Sequence, residues 1–130
     1  ESQEENLIIP NVWDTIKADK NTDCVSFCKV PGFEHLLLCA NYQLDPQTQI
    51  HSGGFFLVDT SKKYLESNPS KNNNHDENSK IDIILKKETE AIFDLMWLPS
   101  LFNDKLCFLV APISPKVQLY SYSPEDNEGF

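Results

Sequence analysis

The chain has 130 residues, 40% of them hydrophobic, which is enough for one ordinary domain with a packed core. Twenty acidic residues against 11 lysines give a net charge of -9, and arginine does not occur. This balance excludes a protein that grips nucleic acid through clustered basic side chains, so no nucleic-acid partner is expected.

The sequence also bears on the cell compartment. No apolar run approaches the roughly 20 residues that a helix needs to cross a bilayer, and the polar start has no signal-peptide pattern. No membrane partner is therefore expected.

Cys24 and Cys28 share a predicted strand, with Cα atoms about 13 Å apart, too far for a disulfide or a shared metal ion. We expect reduced, buried cysteines and a cytoplasmic protein. The chain begins at Glu1, and we interpret it as an excerpt.

The first half of the chain reads as short strands joined by polar turns. Residues 1–10 are expected to form a flexible acidic tail. Alternation of apolar and polar side chains over 12–16 predicts a half-buried strand. The next strands are predicted at 24–28, 35–41 and 54–59, with a turn at Pro31–Gly32 and a long polar loop over 41–52. Continuous apolar runs in the last two strands are typical of burial on both faces.

The second half begins with a segment of different composition. Residues 61–79 are rich in Asn, Ser and Lys and predict a disordered insertion. The cluster His75-Asp76-Glu77 within it lacks a spaced second pair of ligands, so no metal and no cofactor is expected. Strands follow at 80–87, 91–97, 105–111 and 116–122, and then an acidic tail at 124–130. A helix over 85–98 is the alternative that β-branched residues and Pro99 disfavour.

The two halves share one strand pattern. Aligning Phe27 with Trp97 gives an offset of 97 - 27 = 70 residues. The same offset matches Leu36 with Leu106 and Ala40 with Val110. Discounting about 25 residues of inserted loop leaves about 45, the period of a four-stranded propeller blade.

We therefore predict an all-β protein, the N-terminal fragment of a WD-repeat β-propeller. Residues 11–123 would hold about one and a half four-stranded blades, and the strand at 12–16 would close the ring as an outer strand.

A family resemblance adds a function. Residues 35–44, HLLLCANYQL, resemble the first-blade signature of the WD-repeat diphthine methyl ester hydrolases. The flanking segments that agree are Asp14-Thr15, Val25, Cys28, Phe56-Leu57 and residues 91–97, and the resemblance covers most of 12–122. It implies an enzyme of diphthamide biosynthesis that demethylates diphthine, a modified histidine on elongation factor 2. Elongation factor 2 would be its protein substrate, and the remaining blades of the same chain its structural partners.

Catalytic residues are not identified by any motif. Neither Gly-x-Ser-x-Gly nor His-Glu-x-x-His occurs, so much of the active site of such an enzyme is expected in other blades. Tyr42 and Gln43 leave the second strand toward the end where the loops 41–52, 88–90 and 111–115 gather, and they are the candidate substrate-binding residues. Their alternative role is to bond the blade backbone.

Four other residues are interpreted as structural: His35, Asp94, Cys39 and Cys107. Burial in apolar surroundings raises a thiol pKa, which disfavours either of the last two as a nucleophile. Two other readings of the chain stay open. One is a non-catalytic WD-repeat scaffold for protein–protein interaction, and the other is a small two-sheet β-domain that is complete in itself.

Overall fold

A computed structural model describes residues 11–12, 14–61 and 81–125 of the chain. The predicted tail at 1–10, the predicted insertion beyond Ser61 with its His75-Asp76-Glu77 cluster, and residues 126–130 of the predicted acidic tail lie outside these ranges. Within them the protein is all-β, as predicted, and no helix is long and apolar enough to cross a membrane.

The described strands form two antiparallel sheets, each with its strands in chain order. Sheet one consists of β1 (Thr22–Phe27), β2 (Leu36–Leu44), β3 (His51–Asp59) and β4 (Asp82–Thr89). Sheet two consists of β5 (Ile92–Trp97), β6 (Leu106–Pro112) and β7 (Gln118–Tyr122). These seven strands match seven predicted ones to within a few residues at each end.

The turn between β1 and β2 follows from its proline and glycine. The Phe33 amide donates to the Val30 carbonyl at 3.0 Å, and the Cys28 amide donates to the Leu36 carbonyl at 2.8 Å. Gly32 has a φ of 90°, a left-handed conformation that side chains disfavour. The turn therefore sets the register in which Phe27 pairs with Leu37.

The polar loop predicted over 41–52 is much shorter in the structure. β2 continues to Leu44 and β3 begins at His51, so that Leu44 and His51 are paired and only 45–50 turn. The Asp45 carboxylate caps the turn by accepting from the amides of Gln47 and Thr48 at 2.8 and 3.3 Å. Polar side chains are tolerated here because this end of the hairpin is largely exposed to water.

The strand predicted over 12–16 is wrong, because the described residues of that segment pair with no strand. Instead the segment lies on sheet one. Ile16 and Ala18 pack on the apolar cluster centred on Cys39, Phe56 and Val58. The Asp14 carboxylate accepts from the Ile81 amide at 2.9 Å. Side-chain burial and a hydrogen bond to the residue before β4 therefore replace the ladder that the alternating pattern suggested.

The two sheets pack face to face around one apolar core. Its largest fully buried side chains include Trp97, Phe55, Phe108, Leu38 and Leu57. The rings of Phe55 and Phe108 meet edge to face with centroids 5.3 Å apart. Fully burying a side chain of this size contributes about 1.5–3 kcal/mol.

The first strands of the two sheets lie side by side. The Trp97 indole N–H donates to the Ser26 carbonyl at 2.9 Å, and the Cys24 thiol donates to the Asp94 carboxylate at 3.5 Å. β1 and β5 therefore run in the same direction, and the sheets are stacked in the same orientation.

Cross-strand pairing shows that β2 and β6 correspond at an offset one residue larger than the one predicted from the sequence. Phe27 pairs with Leu37 and Trp97 pairs with Phe108, so β2 and β6 are offset by 108 - 37 = 71 rather than 70 residues. A one-residue shift turns a strand's side chains to the other face. The predicted matches of Leu36 with Leu106 and of Ala40 with Val110 are therefore wrong by one residue.

Candidate functional site

The loops at one end of the two sheets meet as predicted. The Ile113 amide donates to the Ala91 carbonyl at 2.8 Å. The Glu90 carboxylate accepts from the Ser114 hydroxyl at 3.0 Å and pairs with the Lys116 ammonium at 2.8 Å. The link from β4 to β5 is thereby fastened to the link from β6 to β7, and the β2–β3 hairpin lies beside them.

Gly53 lets β5 approach this hairpin closely. A Cβ atom at residue 53 would overlap the Asn41 carbonyl oxygen and the Ala91 Cα, and it would lie 2.8 Å from the Glu90 carbonyl oxygen. A glycine is required at this point because backbone atoms fill the space of a side chain. The start of β5 is thus held against the end of β2.

Tyr42 is the centre of an aromatic row at this end. Its hydroxyl lies 2.8 Å from His51 Nδ1, and the two rings meet edge to face with centroids 5.4 Å apart. On its other side the Tyr42 ring stacks on Phe93 of β5, with centroids 5.5 Å apart and an angle of 24° between the ring planes. We call His51, Tyr42 and Phe93 the aromatic row. It crosses from sheet one to sheet two.

Gln43, the second candidate, lies on the opposite face of the hairpin, because successive residues of a strand point to opposite sides. Its side chain is exposed and makes no hydrogen bond with another described residue. The structure therefore places the two predicted residues at the same end of the molecule but does not bring their side chains together. Their role in binding a substrate stays a prediction.

Reasoning from the sequence missed two members of the aromatic row. Tyr42 is paired with Gly53, and His51 meets Tyr42 diagonally across the β2–β3 ladder, two residues from Gly53. Phe93 is 55% exposed and sits beside a bulge between Ile92 and Asp94. Finding either residue requires the hairpin register and the packing of the two sheets, which no local pattern encodes.

No family model, curated protein or solved structure matches this chain. The family resemblance of residues 35–44 therefore remains a prediction.

Two carboxylates at this end of the molecule are bonded within their own loops. The Lys116 ammonium and the Ser114 hydroxyl hold the pKa of Glu90 below its usual value. Amides of the hairpin turn likewise lower the pKa of Asp45. Both groups are carboxylates at neutral pH, and each is already engaged within its own loop. Within the row, the hydrogen bond joins the His51 imidazole to the Tyr42 phenol.

The other residues singled out from the sequence have structural partners or are buried. The His35 carbonyl accepts from the Thr60 amide and hydroxyl at 3.0 and 2.7 Å. Asp94 accepts from the Leu95 amide at 2.9 Å and from the Cys24 thiol, so it joins the two sheets. Cys39 and Cys107 are buried, and burial raises the pKa of the Cys39 thiol to about 11. The contacts of Asp94 and the burial of the two cysteines agree with the structural interpretation of those three residues. The bonds at His35 involve its backbone carbonyl, so the role of its side chain stays a prediction.

The described part of the chain contains no cluster of side chains that could bind a metal ion. Three or more His, Cys, Asp or Glu side chains converge nowhere in residues 11–12, 14–61 and 81–125. In these ranges, all four cysteines are free thiols. The chemical groups that the site offers are therefore an imidazole, a phenol and an exposed phenyl ring.

Proposed function

We propose that this chain is part of a WD-repeat β-propeller that hydrolyses the methyl ester of diphthine on elongation factor 2. The observation that carries the proposal is the position of the resembling segment. Residues 36–44 form the buried strand β2, which ends at the loop end with Tyr42 bonded to His51. Residues that resemble an esterase signature thus supply polar side chains at one open end of the molecule.

The propeller part of the proposal is supported by the stacking of the two sheets. Consecutive four-stranded sheets that pack face to face, with their first strands innermost, are the arrangement of neighbouring blades. Here β1 and β5 adjoin, and the Trp97 indole bonds across to Ser26. Sheet one has the four strands of one blade, and the three described strands of sheet two follow the same order.

Two uncovered apolar faces support further blades of the same chain as partners. Phe27 and Val25 are 53% and 57% exposed on the outer face of sheet one. Met96 and Leu119 are 52% and 57% exposed on the outer face of sheet two. Apolar residues grouped on a sheet face mark a surface that another element covers. Blades on both sides of this pair of sheets would bury them.

The test is direct. The complete protein that carries this chain is purified and mixed with elongation factor 2 bearing methylated diphthine. Mass spectrometry of the modified peptide follows the loss of one methylene group, by which a methyl ester exceeds its acid in mass. We expect demethylation with release of methanol. Unchanged substrate after prolonged incubation with folded protein would refute the activity.

A non-catalytic scaffold is the second candidate, and the exposure of Phe93 favours it. Exposed aromatic residues at one end of a domain are typical anchors for a protein partner. A scaffold would form a stable complex with a protein and leave methylated diphthine intact. Tyr42→Ala and Gln43→Ala would then leave the ester content of the substrate unaffected, whereas the esterase hypothesis expects at least the first to slow the reaction.

A further inference from the structure

We propose that His51 is the general base of the ester hydrolysis and that Tyr42 positions it. This inference rests on the proposed function and deepens it, because it assigns a chemical role that no motif of the sequence identifies. It is carried by the geometry of the aromatic row, in which an exposed imidazole is held by one hydrogen bond and one ring contact.

The hydrogen bond selects the nitrogen that reacts. With Nδ1 2.8 Å from the phenol oxygen of Tyr42, the other ring nitrogen, Nε2, is the one left to act on a ligand. When the Nδ1–H donates to the phenol oxygen, Nε2 carries the lone pair that a base requires. The phenol oxygen can accept from Nδ1–H, and in that arrangement Tyr42 holds the productive tautomer, as a hydrogen-bonding partner does for the histidine of other hydrolytic sites.

Stacking on the second sheet holds Tyr42 itself in place. Its ring lies against Phe93, whose backbone belongs to β5, and Gly53 allows β5 to lie close to the hairpin. Tyr42 cannot turn away from His51 without losing this contact. The exposed remainder of Phe93 adds an apolar surface to the row, on the other side of Tyr42 from the imidazole.

The reaction balances with water as the only co-reactant. A water molecule attacks the ester carbonyl carbon and forms the new C–O bond, while one of its protons moves to His51 Nε2. The tetrahedral intermediate then expels the methoxy group, which takes that proton from the imidazolium and leaves as methanol. The acid remains on the substrate, and His51 returns to its neutral form.

The chain contains a matched control for His51. His35 precedes β2, whereas His51 is paired with the last residue of β2, so the two lie on the order of 30 Å apart at opposite ends of one strand. His51→Gln and His35→Gln make the same chemical change at the two ends. Positions that serve only the fold would respond alike.

The experiment measures kcat and KM for methanol release from methylated elongation factor 2 by the complete protein. We expect His51→Gln to lower kcat about 100-fold or more, the usual contribution of a general base, with little change in KM. His35→Gln should remain close to wild type. Imidazole added to His51→Ala should restore part of the activity, which it cannot do for a defect of folding.

Tyr42→Phe tests the positioning role, because it keeps the ring contact with Phe93 and removes only the hydroxyl. It should lower kcat by less than His51→Gln does and leave KM unchanged. In the His51→Ala background it should have no further effect, since a residue that acts through the imidazole loses its role with it.

Full activity of His51→Gln, beside an active wild type, would overturn this inference and leave the esterase proposal standing. Independent, additive effects of Tyr42→Phe and His51→Ala would overturn the positioning role. A wild-type protein that releases no methanol would overturn the esterase proposal, and the base assignment with it.

Discussion

Phe27 and Trp97 occupy corresponding positions in the two sheets and have opposite environments. Each is the last residue of its sheet's first strand, 70 positions apart. Trp97 is 1% exposed because sheet one covers it, whereas Phe27 is 53% exposed on the outer face of sheet one. The difference comes from what lies next to each sheet, since the strands themselves are alike.

On the second face of each sheet the exposure is reversed: it is the residue of sheet one that is buried and the corresponding residue of sheet two that is exposed. Leu57 faces sheet two and is fully buried, while its counterpart Leu119 lies on the outer face of sheet two and is 57% exposed. Each sheet thus has apolar side chains on a covered face and on an uncovered face, which is what the proposed propeller requires. The segment at 14–18 covers only part of one outer face, over Cys39, Phe56 and Val58.

The largest expected effect separates the first pair. Trp97→Ala should cost about 3–5 kcal/mol of unfolding free energy, because it leaves a large cavity and the Ser26 carbonyl without its donor. Phe27→Ala should cost about 1 kcal/mol, since about half of the ring already lies in water. Urea unfolding followed by circular dichroism measures both. Equal costs would mean that Phe27 is covered in solution, by further blades or by a second copy.

The same substitution at two leucines gives the next largest difference. Leu57→Ala should cost about 2–5 kcal/mol and Leu119→Ala about 0.5 kcal/mol, because only the first opens a cavity. The pair removes identical atoms, so side-chain chemistry cancels in the comparison. If Leu119→Ala approached Leu57→Ala in the complete protein, the outer face of sheet two would be an interface, as the propeller proposal requires.

A charge on an uncovered face should change association more than folding. Phe27→Lys places an ammonium among exposed apolar side chains, so it should reduce self-association of the chain in sedimentation velocity while the circular dichroism spectrum stays unchanged. Leu57→Lys is the matched control and should unfold the chain. Unaltered sedimentation of an associating wild type would show that this face does not mediate the association.

The smallest effect concerns pH. The pKa of Glu90 is lowered by Lys116 and Ser114, and that of Asp19 is lowered by Lys86. A carboxyl whose folded pKa is depressed stabilises the fold fully above its unfolded pKa and loses that contribution as the pH falls through the folded value. Stability should therefore decline below the ordinary values of 4.5 for Glu and 3.8 for Asp.

Glu90→Gln should flatten this decline slightly and leave the stability at high pH nearly unchanged, since the pair with Lys116 is exposed. Thermal melts of the two proteins are compared from about pH 3 to pH 7, because this range spans the titration of carboxyl groups. A steeper decline in Glu90→Gln than in wild type would contradict the assigned sign.

Local patterns in the sequence predicted most strands, because apolar runs and turn residues are sufficient signals for antiparallel hairpins. The predictions from these patterns were wrong where tertiary packing determines whether a segment pairs as a strand. The alternation at 12–16 is that of a strand, yet its side chains cover an apolar cluster without pairing. The polar segment after Asn41 was predicted as loop, although the cross-strand ladder extends through Tyr42 to Leu44.

The candidate site was predictable only in part for the same reason. Tyr42 was found through a resemblance carried by its own strand. His51 and Phe93 join it through a hairpin register and a contact between sheets, and both depend on residues distant in sequence. Since the six-residue turn at 45–50 sets that register, a single insertion there would move His51 away from Tyr42 without altering either residue.

Because Trp97 is buried and bonded to Ser26 across the two sheets, its fluorescence should change when the sheets pack together. An indole in this apolar, hydrogen-bonded setting emits at shorter wavelength than one in water, so its fluorescence reports sheet docking separately from hairpin formation. With Trp13→Phe leaving a single indole, stopped-flow mixing would time that docking step. The chain thus carries its own reporter for the step in which its two sheets come together.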